Sequence, residues 1–239
     1  MELPGISASR DRMQLLKIRF LCLTSKDLKL IFSDGSGIIQ PVLLGLILVF
    51  VFSLSTPLGE EVSEQAAASI FWLSTSFALI LVFNTLYSIE ESNQARTGLL
   101  LSPMPLQHIW MSKAFTGLIL LILAQIVFLP AIIVFLGQDI VRGWWSLFGV
   151  ILLVDWGLVA VGSLLGAASQ GHASRDALLS VVIFPLLIPL LLAGIRMGAY
   201  LLGSSDDEGL SAWAGIAFAF GAVFTGAAII LFPFVYDEY

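Results

Sequence analysis

The chain has 239 residues, of which 58% are hydrophobic and only 12% charged, and it carries a net charge of −6. Soluble globular domains hold about 25% charged residues, so the composition excludes that class and points to a bilayer. The one cysteine, Cys22, excludes an internal disulfide and reads as a small hydrophobe on a helix.

Apolar runs of about 18 or more residues span a hydrocarbon core of roughly 30 Å. Six such runs occur: Gly37–Ser55, Ala66–Ile89, Lys113–Leu136, Trp145–Ser169, Ala177–Leu202 and Leu210–Val235. Each predicts a helix, because backbone groups in lipid must be satisfied within their own segment. The expected fold is all-α: a polytopic membrane protein with six transmembrane helices, preceded by an amphipathic interfacial helix. Residues 1–36 form a cytoplasmic N-terminal segment and residues 37–239 the transmembrane domain.

The N-terminal segment is basic, with Arg10, Arg12, Lys17, Arg19, Lys26 and Lys29. Within it, Met13–Phe32 mixes apolar residues with these charges and with Asp27, too densely charged to span. It reads as a helix lying in the membrane interface, or as one that merely leads into the first span. The first spanning run starts near residue 38, too late for a cleaved signal peptide. Ser33-Asp34-Gly35-Ser36-Gly37 predicts a break before the chain enters the bilayer.

After the second span comes Glu90-Glu91-Ser92-Asn93-Gln94-Ala95-Arg96-Thr97-Gly98-Leu99-Leu100-Leu101-Ser102-Pro103-Met104-Pro105, which leads into Leu106–Lys113. A polar, helix-capable start meets an apolar triplet and a Pro-x-Pro. Apolar residues on a loop need a surface to bury against, either a partner's groove or the chain's own bundle. Further on, Trp144-Trp145 suits the aromatic belt at an interface. Asp155 in the fourth span and Arg196 in the fifth lie about 15 and 9 Å below their outer ends at 1.5 Å per residue, which suggests an ion pair. The alternative is an Arg196 that snorkels outward and an Asp155 that is hydrogen-bonded alone. Asn84 and Gln125 read as interhelical hydrogen-bond partners. Pro185 and Pro189 predict a bend in the fifth helix. Gly162/Gly166, Gly194/Gly198 and Ala222/Gly226, each four apart, allow close helix approach, within the bundle or in a homodimer.

Lys and Arg near span ends favour the cytoplasm. With the N-terminal segment inside, Arg96, Lys113 and Arg175 fall on the same side, whereas the opposite loops hold only Arg142. Six spans then place both termini in the cytoplasm. The opposite side carries Glu60, Glu61, Glu64 and Asp206, Asp207, Glu208, so the net charge is split between two aqueous faces and says nothing of partners. Nothing points to nucleic acid. The sequence has no G-x-x-x-x-G-K-[ST], no H-E-x-x-H and no G-x-S-x-G, so no catalytic residue and no metal site are expected. His108 and His172 are the only histidines and read as solvated loop residues.

The stretch Glu90 to Pro103, ending in Gly98-Leu99-Leu100-Leu101-Ser102-Pro103, resembles the loop of the CcmB family, the haem-exporter permeases of cytochrome c maturation. Arg175-Asp176-Ala177-Leu178-Leu179 leading into Phe184-Pro185-Leu186-Leu187-Ile188-Pro189 is similar to that family's fifth helix. The number of spans and the acidic Asp237-Glu238 tail agree, and the resemblance covers roughly residues 15 to 239. Gln94 and Arg96 depart from the glycine and the apolar residue expected there.

The resemblance implies a non-catalytic membrane subunit of an ATP-binding-cassette complex in a bacterial inner membrane. ATP is bound and hydrolysed by a separate ATPase subunit, and the partners are other cytochrome c maturation proteins and a haem chaperone. Haem is a handled or transported ligand, not a resident cofactor. On this reading the loop couples ATPase motion to the bundle, with Glu90, Glu91, Arg96, Leu99, Leu100, Leu101 and Pro103 as its candidate residues. Two other classes stay open: an exporter permease for a lipid or drug, and a membrane scaffold that transports nothing.

Overall fold

The computed structural model describes residues 4–57, 62–92, 98, 101, 104–168, 175–203 and 209–237. Among them are seven long helices: α1 Pro4–Asp34, α2 Ser36–Ser55, α3 Glu64–Ser92, α4 Leu106–Leu136, α5 Trp144–Ala168, α6 Arg175–Leu202 and α7 Leu210–Asp237. Six stretches are long and apolar enough to cross a membrane, one in each helix from α2 to α7. The first and last, Gly37–Ser55 and Leu210–Val235, coincide with the expected spans.

The predicted break before the bilayer is a single residue. Gly35 takes φ 70°, a left-handed conformation that glycine adopts without penalty, and α2 starts at the next position. α1 is longer than the expected Met13–Phe32 and docks on α2, α3 and α4. Its docked face holds Leu23, Thr24, Asp27 and Ile31, all buried, whereas Ile18, Leu21 and Phe32 are exposed. An outward apolar face on a helix of this length suits the membrane interface.

The centre of the bundle is α3, which packs against α2, α4, α5 and α6. Close approach comes from glycines that receive large side chains. A Cβ on Gly162 or Gly166 of α5 would come within 2.8 Å of Phe83 or Tyr87, and one on Gly194 of α6 within 2.9 Å of Trp72. The third expected pair, Ala222/Gly226, makes no close helix contact at Gly226 within the chain. A Cβ on Gly226 would meet nothing within 4 Å, and the tight contact on α7 belongs to Gly221, 2.9 Å from Trp156. The Trp156 indole N–H also donates to Thr225 Oγ1 at 3.0 Å, one turn from Gly221. Pro185 and Pro189 both lie inside α6, which continues through them to Leu202.

One helix start moves by two turns. α4 starts seven residues before the expected Lys113, at Leu106, directly after Pro105. Proline lacks an N–H and restricts the residue before it, so it marks the start of the helix. His108, expected in a loop, lies in the first turn of α4, and its main-chain N–H donates to the Pro105 carbonyl at 2.9 Å.

Candidate functional site: a buried ion cluster at the base of the α3–α4 loop

The α3–α4 loop, residues 93–105, leaves the last turn of α3 and returns at the first turn of α4. Close to these two helix ends, four charged side chains from three helices meet. Lys113, eight residues into α4, is fully buried, and so, within a few per cent, are Asp27 of α1 and Glu90 of α3. The Lys113 ammonium contacts Asp27 Oδ2 at 2.9 Å and Glu90 Oε1 at 2.6 Å. Lys26, partly exposed on α1, adds a second cation at 3.0 Å from Asp27 Oδ1 and 3.7 Å from Glu90 Oε1.

Two cations face two carboxylates, so the cluster is formally neutral. Neutrality decides whether such a group survives burial, because each ion taken from water costs several kcal/mol and only close opposite charge offsets it. Lys113, counted among the charges of the cytoplasmic side and placed at the start of the third span, ties three helices together.

Helical spacing builds the rest. Thr24 and Asp27 are three apart and share a face of α1. The Thr24 and Ser112 hydroxyls lie 3.0 Å apart, a hydrogen bond that clips α1 to α4 beside the ion cluster. Tyr87 lies one turn before Glu90, with Lys113 Nζ 5.9 Å from its ring centroid, within cation–π range. The Tyr87 hydroxyl donates to the Ser163 carbonyl at 2.9 Å, and the Trp110 indole N–H donates to Ser163 Oγ at 2.8 Å. One continuous polar network therefore joins α1, the end of α3, the start of α4 and the C-terminal part of α5.

Of the expected coupling residues, Glu90 is in this cluster and Glu91 lies in the same last turn of α3. Leu101 is 82% exposed, an apolar side chain presented to the surroundings by the loop. Arg96, Leu99, Leu100 and Pro103 lie outside the described residues, as does His172. Sequence reasoning missed Asp27, Lys26 and Lys113 as a group. The available signal was a lone lysine among apolar residues in the α4 segment, with an acid at the end of the preceding helix.

A second buried polar pair lies deeper in the bundle. The Gln125 amide of α4 donates to Asp155 Oδ1 of α5 at 2.8 Å, and both side chains are buried. The expected Asp155–Arg196 ion pair is not formed: Arg196 is exposed on α6, and Asp155 faces α4 instead. The reason is rotational, since Gly194, Met197 and Gly198 take the inward face of α6 and leave position 196 outside. Gln125 is thus the interhelical partner expected of it. Among the described residues, no three His, Cys, Asp or Glu side chains converge as metal ligands would.

Comparison with known proteins agrees with this architecture. The chain is similar to heme exporter protein B of Rhodobacter capsulatus, with 26% identity over 215 residues, 89% of this chain and 94% of that protein. The family described as CcmB protein matches residues 18–237, from the docked part of α1 to the end of α7, so the chain belongs to the CcmB family.

Proposed function

We propose that this chain is the non-catalytic membrane subunit of an ATP-driven complex that serves haem handling in cytochrome c maturation. The family match over nearly the whole chain supports this reading, as does the name of the R. capsulatus relative. The chain has no phosphate loop of its own, so hydrolysis falls to a separate ATP-binding-cassette subunit. The α1 end of the bundle faces the cytoplasm of a bacterial inner membrane, in keeping with the basic residues of the N-terminal segment.

The observation that carries the mechanism is the buried cluster at the base of the α3–α4 loop. ATP-driven closure of the partner ATPases moves the loop through contacts at Arg96, Leu99, Leu100 and Leu101. The Asp27–Lys113–Glu90 ion set prevents that motion from dissipating in a local hinge, because α1, α3 and α4 are tied at one point. Coupling requires contacts that differ between the nucleotide states, so a loop that docks equally in both transmits nothing. Pro185 and Pro189 put a bend within α6, where the far end of the bundle can respond.

Affinity purification of the tagged chain from native membranes, with mass spectrometry of its partners, tests the assignment. An ATP-binding-cassette ATPase recovered with cytochrome-maturation proteins is expected. Recovery without any ATPase overturns the coupling mechanism, and an ATPase without maturation proteins overturns the haem role. Leu100→Asp should leave the bundle intact and abolish cytochrome c assembly. Normal assembly in that variant rejects the loop as the docking element.

A further inference from the structure

A cavity of about 720 Å³ opens between α5, α6 and α7 at the end of the bundle opposite α1. Its size falls within the roughly 300–1,000 Å³ typical of small-molecule sites. It is distant from the ion cluster, and the coupling mechanism makes no use of it.

The cavity is graded along the bundle axis. Its rim is polar: Arg142, Ser146 and Tyr200. Its wall is apolar, formed by residues such as Val150, Leu153 and Met197. From Ser146 to Leu153 the wall descends about 10 Å along α5 at 1.5 Å per residue. Trp144 and Trp145 adjoin the rim and are 64% and 86% exposed. Exposed tryptophans on a spanning helix mark the headgroup level, so the rim lies at headgroup depth and the wall in hydrocarbon.

The rim cation is held in place. Arg142 Nη1 donates to the Tyr200 hydroxyl at 2.7 Å, and its guanidinium carbon lies 3.8 Å from the centroid of that ring. The Val141 N–H donates to the Leu201 carbonyl at 3.1 Å, which fixes the neighbouring backbone to the end of α6. Gly143, at φ 87°, then turns the chain directly into α5. Stacking on Tyr200 orients the cation, and among the described residues no carboxylate forms an ion pair with it. Room has also been left in the wall, since a Cβ on Gly149 would meet nothing within 4 Å.

We propose that this cavity is a binding site for an acidic phospholipid, whose phosphate engages Arg142 and whose acyl chain lies along Gly149, Val150 and Leu153. An oriented guanidinium at headgroup depth above an apolar slot matches that amphiphile at both ends. The site does not depend on the haem assignment, because its readout is lipid retention.

The test is native mass spectrometry of the purified full-length chain in detergent, equilibrated with equal amounts of phosphatidylglycerol and phosphatidylcholine. The wild type should retain one phosphatidylglycerol with about tenfold preference, or about 1.4 kcal/mol, because the choline cation of phosphatidylcholine offsets the charge of its own phosphate and is repelled by the guanidinium. Arg142→Gln should remove the preference and leave chain binding. Gly149→Leu should reduce retention of both lipids, and Gly149→Ala, which leaves most of the slot open, should retain wild-type binding and so controls for folding. Equal retention of the two lipids by the wild type, or unchanged retention in both Arg142→Gln and Gly149→Leu, overturns the proposal. Haem displacing the lipid stoichiometrically from the wild type also overturns it.

Discussion

Replacing Lys113 by methionine isolates the contribution of the buried cluster. The substitution conserves most of the side-chain volume and removes the charge that Asp27 and Glu90 both face. At the observed separations of 2.9 and 2.6 Å, each attraction is worth about 6 kcal/mol for an effective dielectric constant near 20. The burial cost of three ions offsets most of that sum, so the intact cluster contributes little net stability. Its disruption is a different matter. Lys113→Met leaves two carboxylates buried, with Lys26 close to Asp27 and farther, at 3.7 Å, from Glu90. Breaking a buried pair in this way costs about 3–5 kcal/mol.

For a chain of this size such a loss lowers Tm by on the order of 10 °C, measured by tryptophan fluorescence during thermal unfolding in detergent. The informative comparison is the triple variant Lys113→Met, Asp27→Asn, Glu90→Gln. It removes the unpaired charges together and leaves Lys26, which is 38% exposed, to reach solvent. Most of the lost Tm should return. The reasoning is refuted if Lys113→Met melts like the wild type, or if the triple variant is no more stable than the single one. If the coupling role holds, the triple variant is stable but fails to support cytochrome c assembly, because the tie among the helices is gone.

Packing and the deeper polar pair give further tests in the same thermal assay. Gly166→Ala forces a methyl to within 2.8 Å of the Tyr87 ring and should cost about 1–3 kcal/mol, whereas Gly226→Ala, with open space around it, should be neutral or slightly stabilising. Equal effects at the two sites contradict the close α3–α5 contact. Gln125→Leu strips Asp155 Oδ1 of its donor and should cost about 1–3 kcal/mol. Arg196→Gln, on an exposed position, should change stability by less than about 0.5 kcal/mol. A large loss from Arg196→Gln reinstates an ion pair with Asp155. Trp156→Phe should lose the Thr225 hydrogen bond and about 1 kcal/mol, read as a small drop in Tm.

Membrane insertion, the number of spans and the family loop follow from linear features: runs of apolar residues, the clustering of Lys and Arg, and the order of residues from Glu90 to Pro103. Each is local, and a bilayer reads it one segment at a time. The glycine pairs of the fourth and fifth spans were legible for the same reason, since positions four apart share a helix face wherever the helix packs. What faces what was not legible. A rotation of α6 that turns Gly194 and Gly198 inward puts Arg196 outside and gives Asp155 to Gln125 on α4. Likewise, Asp27, Glu90 and Lys113 belong to three helices and look like three interfacial charges until those helices meet. Apolar patterning settles which segments enter the membrane, but lipid is as apolar as leucine, so hydrophobicity does not choose neighbours there. Close packing and the pairing of a few polar groups make that choice, and both exist only in the assembled bundle.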